Sequence, residues 1–172
     1  MVATRPHHRY TYQDYVGLER DSSIKHEFLN GEIYAMAGGS EEHSALAASV
    51  LRILGNAIGD KLFRVHTSDL RIYVEASGLA TFPDGAVICG ALMQHAASPE
   101  ATALNPTVLV EVTSKSSEEY DIGEKLDYYM TIPTLREVII VSHRERRITV
   151  HARTIGGDWL ARYPPTTSVV TR

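Results

Sequence analysis

The sequence predicts an α/β (α+β) domain in which a mixed β-sheet is flanked by helices. Helix and strand patterns follow one another in the order helix, hairpin, helix, several strands, helix and strands. The stretch HEFLNGEIYAMAG places Asn30-Gly31 between two alternating arms, the strongest short signal for a β-hairpin. The stretch TVLVEVTSK, residues 107–115, is almost continuously apolar and indicates a central strand covered on both faces.

The overall composition fits one globular domain with its own core. The chain has 172 residues, of which 44% are hydrophobic and 22% charged. We expect a flexible arm at residues 1–10 and a single domain at residues 11–172. The formal net charge of −4 excludes a general attraction to nucleic acid or anionic membrane.

Cysteine content and hydropathy indicate the cellular compartment of the protein. Cys89 is the single cysteine, which excludes an internal disulfide and a cysteine-based metal site. It is predicted to be a small core residue of a protein in a reducing cytoplasm. Neither a signal peptide nor a membrane-spanning segment is expected.

Two helices are predicted on either side of the hairpin. Thr11 is placed to cap a short helix over TYQDYVGLE. Ser40 is placed to cap a longer helix through SALAASVLRILGNAIG. Glu41 and Glu42 in the first turn of that helix suit its dipole. His43 lies on the same side as the apolar stripe of the helix and is expected to point inward.

The C-terminal half is predicted to contain most of the strands. FRVHTSDLRIYVEA predicts one long or bulged strand, and ATFPDGAVICG predicts a second, entered at Pro83. Residues 90–106 are a polar connection with room for a helical turn. SSEEYDIGEKLDYYMTI predicts one helix, with Ser116 and Glu119 as a capping box. REVIIVSHRERRITVHAR predicts two strands around a charged turn, and WLARYP predicts an edge strand.

Glu111 is a carboxylate inside the predicted buried strand, where an unpaired charge is costly. Asp84 begins the preceding predicted strand, and neighbouring strands lie about 4.8 Å apart. Two carboxylates that close do not both ionise unaided, so either one is protonated or a cation lies between them. Mg²⁺ or Mn²⁺ is the natural choice, so the pair predicts a divalent-metal site. The alternatives are a turn cap for Asp84 and a structural ion pair of Glu111 with Lys125 or an arginine.

Lys125 lies one helical turn after Asp121, so both are expected on one face of the predicted helix. That helix follows the Glu111 strand directly and can fold back over the carboxylates. Lys125 would there orient an attacking water or stabilise charge on a phosphate, with Asp121 holding it. The alternative is a solvated lysine. His43 is either a satisfied core histidine or a partner of a ligand or of Glu27.

Several motifs in combination resemble the Uma2 family, bacterial proteins classed as restriction endonucleases of the PD-(D/E)xK superfamily. The resemblance runs from about Tyr12 to Arg153. It rests on HEFLNGEIYAMAG, GGSEEHSAL, FPDGAVIC, LVEVTSKSSEEYDIGEKLDYY and IPTLREVIIVS. It implies a restriction-endonuclease-like fold and a divalent-metal site built from Asp84 and Glu111.

The chain departs from the superfamily pattern at one position. Superfamily members usually carry a lysine two residues after the glutamate, where this chain has Thr113. In chains like those of the Uma2 family the lysine lies in the following helix, which implies Lys125 as the third catalytic residue. The resemblance also implies roles near the site for Glu27 and His43.

The expected activity is hydrolysis of phosphodiester bonds by a metal-activated water. DNA is the expected substrate by resemblance, and a homodimer joined near WLARYP would present two sites to a duplex. Local positive charge is expected from a scattered set, Lys61, Arg64, Arg71, Lys115 and Arg144. Two other classes stay open. One is a catalytically inactive nuclease-fold module that binds nucleic acid or a protein partner, and the other is a structural or toxin-neutralising interaction protein.

Overall fold

The computed structural model describes residues 9–59, 62–98 and 102–165. Within them, the helices are α1 (Tyr12–Asp21), α2 (Glu41–Ile58), α3 (Glu118–Ile122) and α4 (Glu124–Met130). The strands are β1 (His26–Leu29), β2 (Glu32–Ala35), β3 (Phe63–Thr67), β4 (Arg71–Val74), β5 (Leu79–Thr81), β6 (Gly85–Cys89), β7 (Thr102–Ala103), β8 (Pro106–Val112), β9 (Glu137–Val141), β10 (Ile148–Arg153) and β11 (Trp159–Arg162).

The strands fall into two sheets. Sheet A has the order β2-β1-β5-β4-β7, and sheet B has the order β11-β10-β9-β8-β6-β3. The pair β4–β7 in sheet A and the pair β8–β9 in sheet B are parallel, while the other pairs are antiparallel. The predicted fold class is confirmed, with its strands divided between two mixed sheets.

The local signals in the N-terminal segment are confirmed. Asn30 and Gly31 have φ angles of 53° and 85°, and they join β1 to β2 as the two-residue loop of a hairpin. Thr11 caps α1 through a capping box with Asp14. Ser40 caps α2 by accepting a hydrogen bond from the backbone N–H of His43 at 3.2 Å.

Both predicted long strands are wrong, because each is divided between the two sheets. FRVHTSDLRIYVEA forms β3 in sheet B and β4 in sheet A, with a turn at residues 68–70 between them. ATFPDGAVICG forms β5 in sheet A and β6 in sheet B, interrupted at residues 82–84. Pro83 cannot donate to a β-ladder and restricts the residue before it, so the ladder ends there. The chain crosses from one sheet to the other at Asp84.

The single helix predicted over residues 116–132 is also wrong, because it is broken into α3 and α4 at Gly123. Gly123 has φ −111° and ψ −111°, outside the helical region. A Cβ atom there would lie 2.8 Å from the carbonyl oxygen of Glu119, so the close approach suits glycine. Ser117 rather than Ser116 is the N-cap, and no side chain caps it. The predicted capping box therefore does not form.

Strand β8 lies at the centre of sheet B and is covered on both faces, as predicted. Val110 and Val112 on one face pack in a cluster with Val50 of α2. Leu109 on the other face packs with Leu126 and Tyr129 of α4. Since successive side chains of a strand alternate, Glu111 points to the α4 face.

Three smaller predictions have different outcomes. Cys89 was predicted to be buried, but it is exposed because it lies at the last position of β6. The connection at residues 90–106 contains β7 and no helical turn among its described residues. Residues 1–8 of the predicted arm lie outside the described residues, while Tyr10 donates a backbone hydrogen bond to Gly31 at 2.8 Å. No helix in the described ranges combines the length and apolarity needed to cross a bilayer.

Candidate functional site

Asp84 and Glu111 meet where β6 and β8 pair. Gly85 lies opposite Val110 in this antiparallel pair, so one further step of the register places Asp84 opposite Glu111. Asp84 Oδ2 accepts a hydrogen bond from the backbone N–H of Val112 at 2.7 Å, which fixes its carboxylate against β8. The two strands pair, which was the condition for the carboxylates to converge, and their register brings both carboxylates to one end of the sheet.

Lys125 lies at the centre of a buried cluster of carboxylates. Its Nζ atom is 3.0 Å from Oε1 of Glu111, 3.0 Å from Oε1 of Glu27 and 3.5 Å from Oδ1 of Asp121. Lys125 itself is 3% exposed, so it is not the solvated lysine of the alternative interpretation. We call Asp84, Glu111, Lys125, Glu27 and Asp121 the acidic cluster.

The two sheets and the α3–α4 segment each contribute to the acidic cluster. Glu27 comes from β1 of sheet A and accepts a hydrogen bond from the hydroxyl of Thr81. Asp121 lies in α3 and Lys125 in α4, across the break at Gly123. The expected contact between Asp121 and Lys125 is thus present, although the two residues are in different helices.

Tyr129 contacts the acidic cluster through Glu111, a contact that was not predicted from the sequence. Its hydroxyl donates a hydrogen bond of 2.6 Å to Oε1 of Glu111, and its side chain is fully buried. The available signal was its spacing, four residues after Lys125 in a helix. Thr81 was missed as well, because a threonine in a short apolar strand carries no distinguishing pattern.

His43 is a partner of Asp84. Its Nε2 atom lies 3.2 Å from Oδ2 of Asp84. A Cβ atom at Gly39 would lie 2.6 Å from Nδ1 of His43, so the imidazole packs against a stretch of backbone that has no side chain. Of the two interpretations of this histidine, the contact favours the polar partner of a site residue.

Burial sets the electrostatics of the cluster. It raises the pKa of Glu111 to about 8; Lys125 opposes this increase, while Asp121 and Asp84 reinforce it. Burial also raises the pKa of Asp84, while the N–H of Val112, His43 and Lys125 act to lower it. Burial acts to lower the pKa of Lys125, but its carboxylate partners, Glu111 foremost, hold it well above the ordinary value. The ammonium of Lys125 therefore pairs with three carboxyl groups, and its charge also acts on Asp84.

The donor set fits a divalent cation of the kind that needs few protein ligands. The described residues contain no ready-made group of three or more histidine, cysteine, aspartate or glutamate side chains around one ion position. Mg²⁺ commonly uses one or two carboxylates and completes its shell with water and phosphate. Asp84 and Glu111 can supply these two carboxylates as a pair. The ion pair between Glu111 and Lys125, which was the alternative, is also present. A metal role for the pair stays a prediction.

The residues expected to supply local positive charge differ in exposure. Arg71 is buried and donates to the hydroxyls of Thr102 and Ser98 at 2.8 and 2.6 Å, so it does not supply positive charge at the surface. Arg144 is exposed and pairs with Glu118 at 2.8 Å. Arg64 and Lys115 are exposed, and Lys61 lies outside the described residues.

A protein-family model, Uma2, described as "Putative restriction endonuclease", matches residues 12–169 of this chain. Two proteins of Synechocystis sp. (strain ATCC 27184 / PCC 6803 / Kazusa) are similar in sequence. "Uncharacterized protein sll1609" is 29% identical over 87% of this chain and 84% of its own length. "Uncharacterized protein slr1290" is 30% identical over 90% of this chain and 80% of its own length.

The fold has a counterpart among solved structures. The crystal structure of "a putative nuclease belonging to DUF820" from Anabaena variabilis ATCC 29413 superposes with a TM-score of 0.71. The match covers 90% of this chain and 85% of the other, at 14% sequence identity. At that identity the likeness concerns the fold alone.

Proposed function

This chain belongs to the Uma2 family of the preceding match, and on that basis we propose that it is a divalent-metal-dependent endonuclease that hydrolyses phosphodiester bonds in DNA. The observation that carries the proposal is the convergence of Asp84 and Glu111 at the end of β6 and β8, with the buried ammonium of Lys125 beside them. A carboxylate pair with an adjacent lysine is the arrangement needed for metal-assisted phosphoryl chemistry.

Asp84 and Glu111 would hold Mg²⁺ or Mn²⁺. When bound, the ion supplies polarisation of the phosphate and a lowered pKa for a water molecule. The protein fixes one oxygen of each carboxylate beforehand. Tyr129 donates to Oε1 of Glu111, and the N–H of Val112 donates to Oδ2 of Asp84.

Lys125 is the residue proposed to contact the reacting phosphate. Its ammonium neutralises negative charge that develops on phosphoryl oxygens, and it orients the attacking water. Glu27 and Asp121 hold Nζ in place and are positioning residues. Attack by the water oxygen on phosphorus and loss of the ester oxygen would leave a phosphate monoester and a free hydroxyl.

A homodimer in the cytoplasm is part of this proposal, because two sites would meet the two strands of a duplex. Among the described residues, strand β11 lies at the edge of sheet B, as expected of the WLARYP segment, and this edge is the proposed dimer contact. Sedimentation velocity of the full chain would test the dimer independently of activity.

A catalytically inactive module that binds nucleic acid or a protein partner is the second candidate. The contact that favours it is the 3.0 Å ion pair of Glu111 with Lys125, since that pair already supplies a partner for the buried carboxylate. The two candidates differ in what happens when a divalent ion is added.

The deciding experiment is calorimetric titration with Mn²⁺, run beside a plasmid-nicking assay. The variants are Glu111→Gln, Asp84→Asn and Lys125→Met, and the matched control is Glu75→Gln, which neutralises an exposed carboxylate away from the cluster. We expect Mn²⁺ binding to be lost in the Glu111 and Asp84 variants, and nicking to be lost in all three. Glu75→Gln should behave as the wild type.

Two results would contradict the proposed activity. If the wild type binds no Mn²⁺, Glu111 serves a structural ion pair. If the wild type binds Mn²⁺ but nicks no plasmid, the chain is a binding module that retains the metal site.

A further inference from the structure

We propose that a cavity beside the acidic cluster binds an unpaired nucleotide of the substrate strand, an inference that rests on the proposed nuclease function. The cavity has a volume of about 220 Å³ and lies on the face of sheet B that also carries Glu111. Its floor and rim include Thr113, Ser142, Arg147, Thr149, His151 and Tyr163. No part of the catalytic assignment uses these side chains.

The register of sheet B places the cavity in line with the carboxylates. Glu111 lies opposite Ile140 on β9, and Ile140 lies opposite Thr149 on β10. Two strand spacings of about 4.8 Å separate Glu111 from Thr149, which is about 10 Å. Phosphates of a stacked strand advance by about 3.4 Å per nucleotide and those of an unstacked strand lie farther apart, so the cavity is within a few nucleotides of the reacting phosphate.

One short helix borders both places. Asp121 of α3 contacts Lys125 in the acidic cluster, while Glu118 and Ile122 of the same helix form a wall of the cavity. A nucleic-acid strand that runs from the reacting phosphate across β9 and β10 to the cavity would therefore pass along α3.

The charge beside the cavity suits a phosphate. Arg144, Arg146 and Arg147 lie in the β9–β10 turn. Arg144 pairs with Glu118 of the cavity wall at 2.8 Å and Arg147 pairs with Glu145, so the three arginines exceed these two acids by one positive charge. The Arg147 side chain is 54% exposed, and its ion pair with Glu145 at 3.0 Å is a surface contact of little energetic weight. Its guanidinium is therefore available to bind phosphate oxygens in the bidentate manner that arginine favours.

Tyr163 supplies a stacking surface at the same cavity. It is 69% exposed, an unusual state for a large aromatic side chain, and it follows the last residue of β11. Bases stack on exposed aromatic rings of proteins that bind single strands. A base inside a duplex is already stacked on both sides, so contact with Tyr163 requires an unpaired nucleotide. The substrate class is therefore a single strand, or a duplex opened near the cleavage site.

The test is fluorescence anisotropy of a labelled oligothymidine in EDTA, where a metal-dependent activity cannot consume the probe. The variants are Arg147→Ala and Tyr163→Ala. The matched controls are Arg162→Ala, an exposed arginine outside the cavity lining, and Tyr34→Ala, an exposed tyrosine on the hairpin. Each control makes the same chemical change as one variant at a site that the proposal does not use.

We expect Tyr163→Ala to weaken binding by at least about fivefold, the lower end of a base–aromatic stack. Arg147→Ala should also weaken binding, and it should lower the slope of log affinity against log salt by about 0.7, the value for one phosphate contact on a single strand. Tyr163→Ala should leave that slope unchanged. Both controls should bind as the wild type, and the wild type should bind the single strand more tightly than a duplex.

The inference is overturned if the wild type does not bind the oligothymidine, if it binds a duplex equally well, or if both variants bind as tightly as the controls. Failure of the nuclease proposal would look different. Mn²⁺ binding or nicking would then be absent while the anisotropy differences between variants and controls persist.

Discussion

Replacing Glu111 by glutamine is expected to stabilise the metal-free protein at neutral pH. Burial raises the pKa of this carboxyl to about 8 in the folded chain, from an ordinary value of 4.5. At pH 7 the folded state therefore carries a proton on Glu111 that the unfolded state has released. At about 1.4 kcal/mol per pH unit, the difference between the ordinary pKa of 4.5 and pH 7 lowers the free energy of unfolding by about 3 kcal/mol.

Glutamine removes this cost and keeps an oxygen that can accept from Tyr129 and Lys125. A carboxyl with a raised folded-state pKa makes the wild type more stable as the pH falls from about 8 toward 4.5, because the folded state binds more protons. The advantage of Glu111→Gln should therefore be about 3 kcal/mol at pH 7 and less than about 1 kcal/mol at pH 5. The variant would gain stability and lose metal binding, a common exchange at functional sites.

The assay is urea unfolding in EDTA at pH 7 and pH 5, followed by circular dichroism. Glu75→Gln is the control, because it neutralises an exposed carboxylate and should change the free energy of unfolding little at either pH. The reasoning is refuted if Glu111→Gln is less stable than the wild type at pH 7. It is also refuted if the difference is the same at both pH values, since Glu111 would then be ionised in the folded state.

Two further predictions concern stability. Lys125→Met leaves three carboxylates without their shared ammonium, and we expect a loss of about 3–5 kcal/mol at pH 8. The loss should shrink at pH 5, because Glu111, whose pKa burial raises to about 8, is then protonated in the folded state. Urea unfolding at both pH values, beside the exposed Lys115→Met, would check this, and an equal loss would contradict it. Gly31→Ala should cost about 1 kcal/mol or more, because Gly31 has a φ of 85° and a Cβ there would lie 3.0 Å from Cβ of Arg9. Thermal unfolding would measure it against Gly38→Ala, whose Cβ meets no atom within 4 Å, and equal midpoints for the two variants would count against the strained turn.

Local patterns predicted several elements correctly because their causes are local. The Asn30-Gly31 turn needs two positive φ angles, and few residue pairs other than these adopt them easily. The burial of β8 follows from its apolar run, and the polar exception Glu111 pointed to the acidic cluster. These features depend on the residues themselves and on their immediate neighbours.

The division into two sheets could not be predicted in the same way. The apolar pattern of a strand does not indicate which strand it pairs with. The segment that forms β5 and β6 was therefore predicted as one strand, although Pro83 separates the two. For the same reason the contact of Thr81 with Glu27 was not predicted, because it arises from the packing of β5 beside β1. Lys125 was open to a solvated interpretation, since its burial depends on contacts from both sheets.

The acidic cluster depends on a contact between segments that are far apart in sequence. Glu27 on the hairpin and Lys125 in α4 are separated by most of the domain in sequence, and closing so long a loop costs entropy before any contact repays it. Their ion pair therefore forms only when the hairpin docks onto the rest of the chain. Fraying of the hairpin would withdraw Glu27 and leave Lys125 with fewer acidic partners. Slow amide exchange at β1 would then report how long the complete cluster persists.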